Sequence, residues 1–217
     1  METRKFVLLD IDYITKNHIA VIRLFGRLIG ENEGSIIVLD KSFRPYIYVH
    51  PYDIDDCIKD LSELKLLKVE KLRKRDNGVL KDFLKVTLKH PQDIYKLKDT
   101  ILDLKSVKNI REYDIPFYRR YLIDNGLFPM NTAEVEGKVL NSTHSSRCGK
   151  YLFEMHGEPK NLESDLDGLH MLSFNIEACN SNGMPQVKED PIIMISFSSN
   201  HGFQKVFSTK KSSLNFI

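Results

Sequence analysis

The chain has 217 residues, of which 41% are apolar, 10% aromatic and 29% charged, and its 32 Lys and Arg nearly balance its 30 Asp and Glu. So many large side chains exclude wholesale disorder, because they can bury enough surface to offset the entropy of ordering. No apolar run reaches the roughly 18 residues of a spanning helix, and a net charge of +2 announces no polyanionic partner, so any nucleic-acid contact must come from local patches.

The length permits one large or two modest cores. Three scattered cysteines, Cys57, Cys148 and Cys179, make no disulfide framework and fit a reducing cytosol. The opening METRKFVLLDIDYI meets an Asp before a signal-peptide core can form, so a cytoplasmic protein without a membrane partner is expected.

In chain order, residues 6–14 (FVLLDIDYI) and 20–25 (AVIRLF) predict two strands around the turn-prone Lys16, Asn17 and His18. GSIIVLDKS adds a third, so the first forty residues read as a small antiparallel sheet. A strand at 43–50 (FRPYIYVH) precedes a helix from Asp53, a suitable N-cap, to Leu64. Alternating 66–75, a turn at Asn77-Gly78 and FLKVTL (83–88) give two more strands. PQDIYKLKDTILDL then places Ile94, Leu97, Ile101 and Leu104 at helical spacing behind Pro91. VKNIREYDI (107–115) is the next strand. The class is therefore α+β, and the order βαββαβ is that of a ferredoxin-like, RRM-like unit over about 43–115. Residues 131–168 read as a long, partly irregular connector. LHMLSFNIEA (169–178), PIIMISFSSN and FQKVF predict strands of a new sheet.

Several stretches carry chemistry. In SFNIEA the strand period sets Asn175 and Glu177 on one face. Two carboxylates at that spacing suit a divalent metal, but an amide brings no charge, and a polar solvent face is the plainer alternative. In IREYDIPFYRRYLIDNGLFPM, aromatics Tyr113, Phe117, Tyr118 and Tyr121 alternate with Arg111, Arg119 and Arg120 around Pro116. They suit either stacking on bases beside phosphates or a helix with an aromatic core and a wet arginine face. Lys65, Lys68, Lys71, Arg73, Lys74 and Arg75 either track a phosphate backbone or form the solvated side of an edge strand. His144, Cys148 and His156 offer three zinc donors, but at no well-specified spacing and with no evident fourth.

Taken in order, LDIDYI, FRPYIYV, LKHPQDI, REYDIPFYRRYLIDNGLFPM, LHMLSFNIEA and PIIMISFS resemble the amino-terminal region of archaeal family B DNA polymerases. The resemblance spans residues 8 to about 200 and is poorest over 131–168. It implies an amino-terminal domain over 1–130 and, from 169 to 217, the opening strands of an RNase H-like 3′–5′ exonuclease. The first exonuclease motif of the family reads Asp-Ile-Glu and binds Mg²⁺ in the complete enzyme; here it is Asn175-Ile176-Glu177. The resemblance also implies a pocket that captures template uracil, carried over to Tyr13, Pro45, Tyr46, Ile94, Ile115, Pro116, Phe117, Arg120 and Tyr121. Ile94 stands where the family often has a smaller β-branched residue, and overpacking of this kind costs about 1–3 kcal/mol. Three functions are open on this reading. The chain is a module binding single-stranded template DNA without activity of its own, a residual exonuclease, or a subunit docking on the remainder of a polymerase.

Overall fold

A computed structural model describes residues 1–30, 34–140, 151–163, 170–180 and 183–209. The chain divides into two compact units, Met1–Asp165 and Leu166–Ile217.

The first unit opens with strands β1 (Glu2–Lys16) and β2 (Ile19–Leu28), joined by a two-residue turn. Both turn residues, Asn17 and His18, are left-handed at φ 51° and 60°, the backbone that matches the twist of a hairpin. β3 (Ser35–Asp40) pairs antiparallel with β2. The three strands expected as a small antiparallel sheet are present, but they do not form a sheet of their own: they close into a five-stranded barrel ordered β1-β2-β3-β9-β8, in which β3 and β9 pair in parallel. Its last two strands, β8 (Thr132–Val139) and β9 (Tyr151–Leu162), come from the stretch expected to be irregular. Their alternation is real: Ala133, Val135, Phe153 and Met155 point into the core. Glu, Lys and Gly at the remaining positions dilute the signal, since all three are depleted in strands. Gly137 is needed because a Cβ there would lie 2.1 Å from the Glu154 carbonyl oxygen.

A second sheet follows, with β4 (Tyr46–Pro51), α1 (Ile54–Ser62), β5 (Lys68–Asp76), β6 (Val79–Thr87), α2 (Pro91–Leu102) and β7 (Val107–Arg111) in sequence. Its strand order is β5-β6-β4-β7, and every neighbouring pair is antiparallel. Asp53 caps α1 by accepting from the Asp55 and Asp56 amides. The helices cover one face, where Ile47, Val49, Leu84 and Val86 of the strands pack with Cys57, Leu61, Ile94 and Ile101. The other face carries Tyr46, Tyr48 and His50, since strand side chains alternate.

A short helix, α3 (Phe117–Asp124), then returns to the barrel, and its Phe117 and Tyr121 join the barrel core. The second unit is a three-stranded antiparallel sheet ordered β10-β11-β12, from Leu172–Ala178, Ile192–Ser199 and Gln204–Ser208. No helix among the described residues is long and apolar enough to cross a membrane.

Candidate nucleic-acid interface

Within the first unit, four segments converge on an apolar slot. Pro45 and Tyr46 come from the start of β4, Pro91, Ile94 and Tyr95 from the first turn of α2, Tyr113 and Ile115 from the turn after β7, and Phe117 and Arg120 from α3. The slot leaves a void of about 20 Å³. That is room for about one water, so a base enters only if the walls part.

Six of the nine residues assigned by resemblance line this slot: Pro45, Tyr46, Ile94, Ile115, Phe117 and Arg120. The other three are placed differently. Tyr13 stands on β1 and presents its ring edge-on to Phe117, at a centroid distance of 5.3 Å and 85° between planes. It supports the wall from behind. Pro116 occupies the N-cap of α3 and accepts from the Arg120 amide at 2.9 Å. Tyr121 is fully buried in the barrel core, edge-on to Phe43, with its hydroxyl 3.5 Å from Met155 Sδ. Burial pushes that phenol well above its ordinary range, and Asp40 adds to the effect.

Tyr113 was expected only among the aromatics interleaved with arginines, and Pro91 and Tyr95 fall outside the residues expected. Their signal was present, because positions 91, 94 and 95 share one face of a helix by the i, i+3, i+4 rule. Ile94 was picked out without its neighbours on that face.

One side of the slot is held by a charged network. Arg120, with a side chain 6% exposed, pairs through Nη1 with Glu112 Oε2 and donates from Nη2 to the Glu112 carbonyl at 3.1 Å. Its guanidinium also lies 4.7 Å from the centre of the Tyr46 ring. Burying this charge is tolerated because carboxylate, carbonyl and ring together replace water. Glu112 has φ 61°, a left-handed conformation unusual for a side chain of its size, and it pairs with Lys74 as well. Burial alone pushes the Glu112 carboxyl up, but hydrogen bonds from Lys74 and Arg120 outweigh it and hold the group below its ordinary range. The Tyr46 hydroxyl donates to Asp124, 2.7 Å from Oδ2. Burial first, then Asp124, pushes that phenol far above its ordinary value, so Tyr46 stays a donor. Beyond Tyr46 lies a larger cavity of about 340 Å³, whose wall includes Arg44, Lys85, Asp40 and Asp124.

The basic run on β5 is largely neutralised. Lys68 pairs with Glu70 at 2.7 Å, Lys71 with Asp55 at 2.8 Å, Arg73 with Asp82 at 3.4 Å, and Lys74 with Glu112. Of the alternatives for this run, the solvated edge strand fits better, because β5 stands at the end of its sheet.

In the second unit Asn175 and Glu177 share a face of β10, and Asn175 Nδ2 donates to Glu177 Oε1 at 2.9 Å. One carboxylate with an oxygen already engaged by an amide does not by itself make a divalent-metal site. No group of three or more His, Cys, Asp or Glu side chains suited to a metal occurs among the described residues. His144 and Cys148 lie outside the described residues, and His156 is on β9.

Comparison with known proteins agrees with both units. A family profile for the DNA polymerase family B exonuclease domain matches residues 108–215. A DNA polymerase of Pyrococcus glycovorans is 33% identical over 97% of this chain, and DNA polymerase 2 of Aeropyrum pernix is 30% identical over 91%. The solved family B DNA polymerase of Pyrobaculum calidifontis superposes with a TM-score of 0.70 at 29% identity, covering 95% of this chain and 27% of that one. The chain belongs to the family B DNA polymerases. More particularly, it corresponds to the amino-terminal and exonuclease region of archaeal members, spanning 23% and 26% of the two curated relatives.

Proposed function

We propose that the chain is a template-binding module of a family B DNA polymerase. It takes a base flipped from single-stranded DNA into the slot between β4, α2 and α3, and it discriminates uracil there. The observation that carries this reading is the convergence of Pro45, Tyr46, Ile94, Ile115, Phe117 and Arg120 on one apolar cleft. An aromatic and proline-walled slot stacks a base, and a tight wall rejects the thymine methyl. We read the second sheet as ferredoxin-like on its order β5-β6-β4-β7 with two helices on one face, and the amino-terminal domain as including the barrel through β9.

Catalysis is assigned to the complete polymerase with its Mg²⁺, since Asn175 with Glu177 offers a single carboxylate. The test is a fluorescence titration with a labelled single-stranded oligonucleotide, with and without one uracil. Tighter binding of the uracil strand is expected. Equal binding sinks the sensing, and no binding sinks the module.

A second reading, docking on the rest of a polymerase, is favoured by one observation. The apolar face of the second unit is open, with Phe174 65% and Phe207 50% exposed. Co-elution with a polymerase fragment that begins after residue 217 is expected in size-exclusion chromatography, and separate elution rejects it.

A further inference from the structure

His90 belongs to the HPQDI segment but does not line the slot. It is buried, at 8% exposure, and stands as the N-cap of α2, the helix whose first turn supplies Pro91, Ile94 and Tyr95 to the slot wall. The Gln92 amide donates to His90 Nδ1 at 3.2 Å. An amide can only donate, so Nδ1 is bare and the proton of the neutral ring sits on Nε2. Nε2 lies 2.9 Å from Thr15 Oγ1, so its N–H donates to the threonine hydroxyl.

Thr15 lies on β1 of the barrel, two residues beyond Tyr13 and on the same strand face. The Tyr13 ring meets His90 edge-on at 6.2 Å and Phe117 edge-on at 5.3 Å. The imidazole thus joins the helix that carries one part of the slot wall to the strand that backs Phe117, another part of it. The capping box adds rigidity: the His90 amide donates to Asp93 Oδ2 at 3.1 Å, and the Asp93 amide to the His90 carbonyl at 2.9 Å.

We propose that His90, held as the Nε2–H tautomer and bridged to Thr15, is a positioning residue that fixes the distance between the Ile94 and Phe117 walls and thereby sets the discrimination of uracil from thymine. This rests on the base-capture reading above. Thr15→Val removes the bridge and leaves the cap. His90→Asn keeps a cap acceptor but has no ring to reach Thr15. Thr15→Ser restores the hydroxyl.

The experiment measures the ratio of affinities for single-stranded oligonucleotides carrying one uracil or one thymine, using the full chain and each variant. The ratio is expected to fall about 3- to 10-fold in Thr15→Val and in His90→Asn, the effect of one lost hydrogen bond, and to return in Thr15→Ser. Unfolding midpoints measured alongside separate positioning from folding. A lowered midpoint with an unchanged ratio overturns the proposal. If the unsubstituted chain binds both strands alike, base capture itself fails. The positioning role is then decided by NMR. Nε2–H at His90, with Ile94 methyl resonances that move in Thr15→Val but not in Thr15→Ser, supports it. An Nδ1–H tautomer or unmoved methyls overturn it.

Discussion

In the first unit Phe6, Leu24, Val38 and Phe153 are sealed from solvent inside a closed barrel, whereas in the second the apolar row Phe174, Ile176 and Phe207 stands 45% to 65% exposed on an open sheet. Both rows obey the same strand alternation. The difference teaches that alternation selects a face but does not bury it; burial needs closure or a second layer. The barrel closes on itself and takes α3 as a plug, so its strands form a core without help. The three strands of the second unit have no such layer among the described residues, and their apolar side chains contribute correspondingly little.

Alanine substitution tests that contrast most strongly. Phe153→Ala should cost about 3–5 kcal/mol, as for other buried phenylalanines, while Phe174→Ala should change stability by less than about 0.5 kcal/mol. Denaturant unfolding followed by circular dichroism measures both, and comparable losses would erase the distinction.

Next in size is the charged network that joins β7 to α3. Glu112→Gln should cost about 1–3 kcal/mol, because Arg120 stays buried without its anion. The pH dependence has a definite sign. The folded carboxyl titrates below its ordinary value of 4.5, so its contribution is present above that value and is lost as pH falls through the lower folded one. Removing Glu112 should therefore flatten the acid limb of the stability profile. An unchanged limb would mean that the network adds nothing beyond the exposed pairs of β5. Tyr46→Phe should cost about 1–2 kcal/mol, because it removes both the bond donated to the exposed Asp124 and the one accepted from Arg120 Nη1 at 3.3 Å.

The smallest effect sharpens the slot itself. The slot leaves a void of only about 20 Å³, and Ile94 is one of the side chains that fill it. Ile94→Val removes one methylene and should tighten uracil binding about 3-fold, while costing about 0.5–1.5 kcal/mol in stability. Weaker binding would show that the side chain holds the base rather than obstructing it.

Much of this was legible in the sequence for local reasons. The Asn17-His18 and Asn77-Gly78 turns, the Asp53 cap and the strong periodicity of α2 act over a few residues, and each specifies its own backbone. The barrel was not legible because closure depends on pairing β1 with β8 and β3 with β9, more than a hundred residues apart in sequence. The strands that close it carry Glu134, Glu136, Gly137 and Lys138, which read as loop. The nine site residues were assigned through motif order, and the structure brings six of them to one cleft. Tyr121, carried over by resemblance, sits in the barrel core, the place given to it by the alternative of a helix with an aromatic core. One turn of α3 sends Phe117 and Tyr121 into the barrel core and sets the buried Arg120 against the slot. The role of His90 needed coordinates, since nothing in HPQDI announces a bond to Thr15.

The central claim is that a base enters the slot whose lining includes Ile94 and Ile115. Methyl NMR of the full chain during titration with a uracil-containing single strand tests it most directly, with the matching thymine strand as control. The account predicts that Ile94 and Ile115 methyl resonances shift with uracil and much less with thymine. Equal shifts with both strands, or changes confined to residues outside the slot, would contradict it.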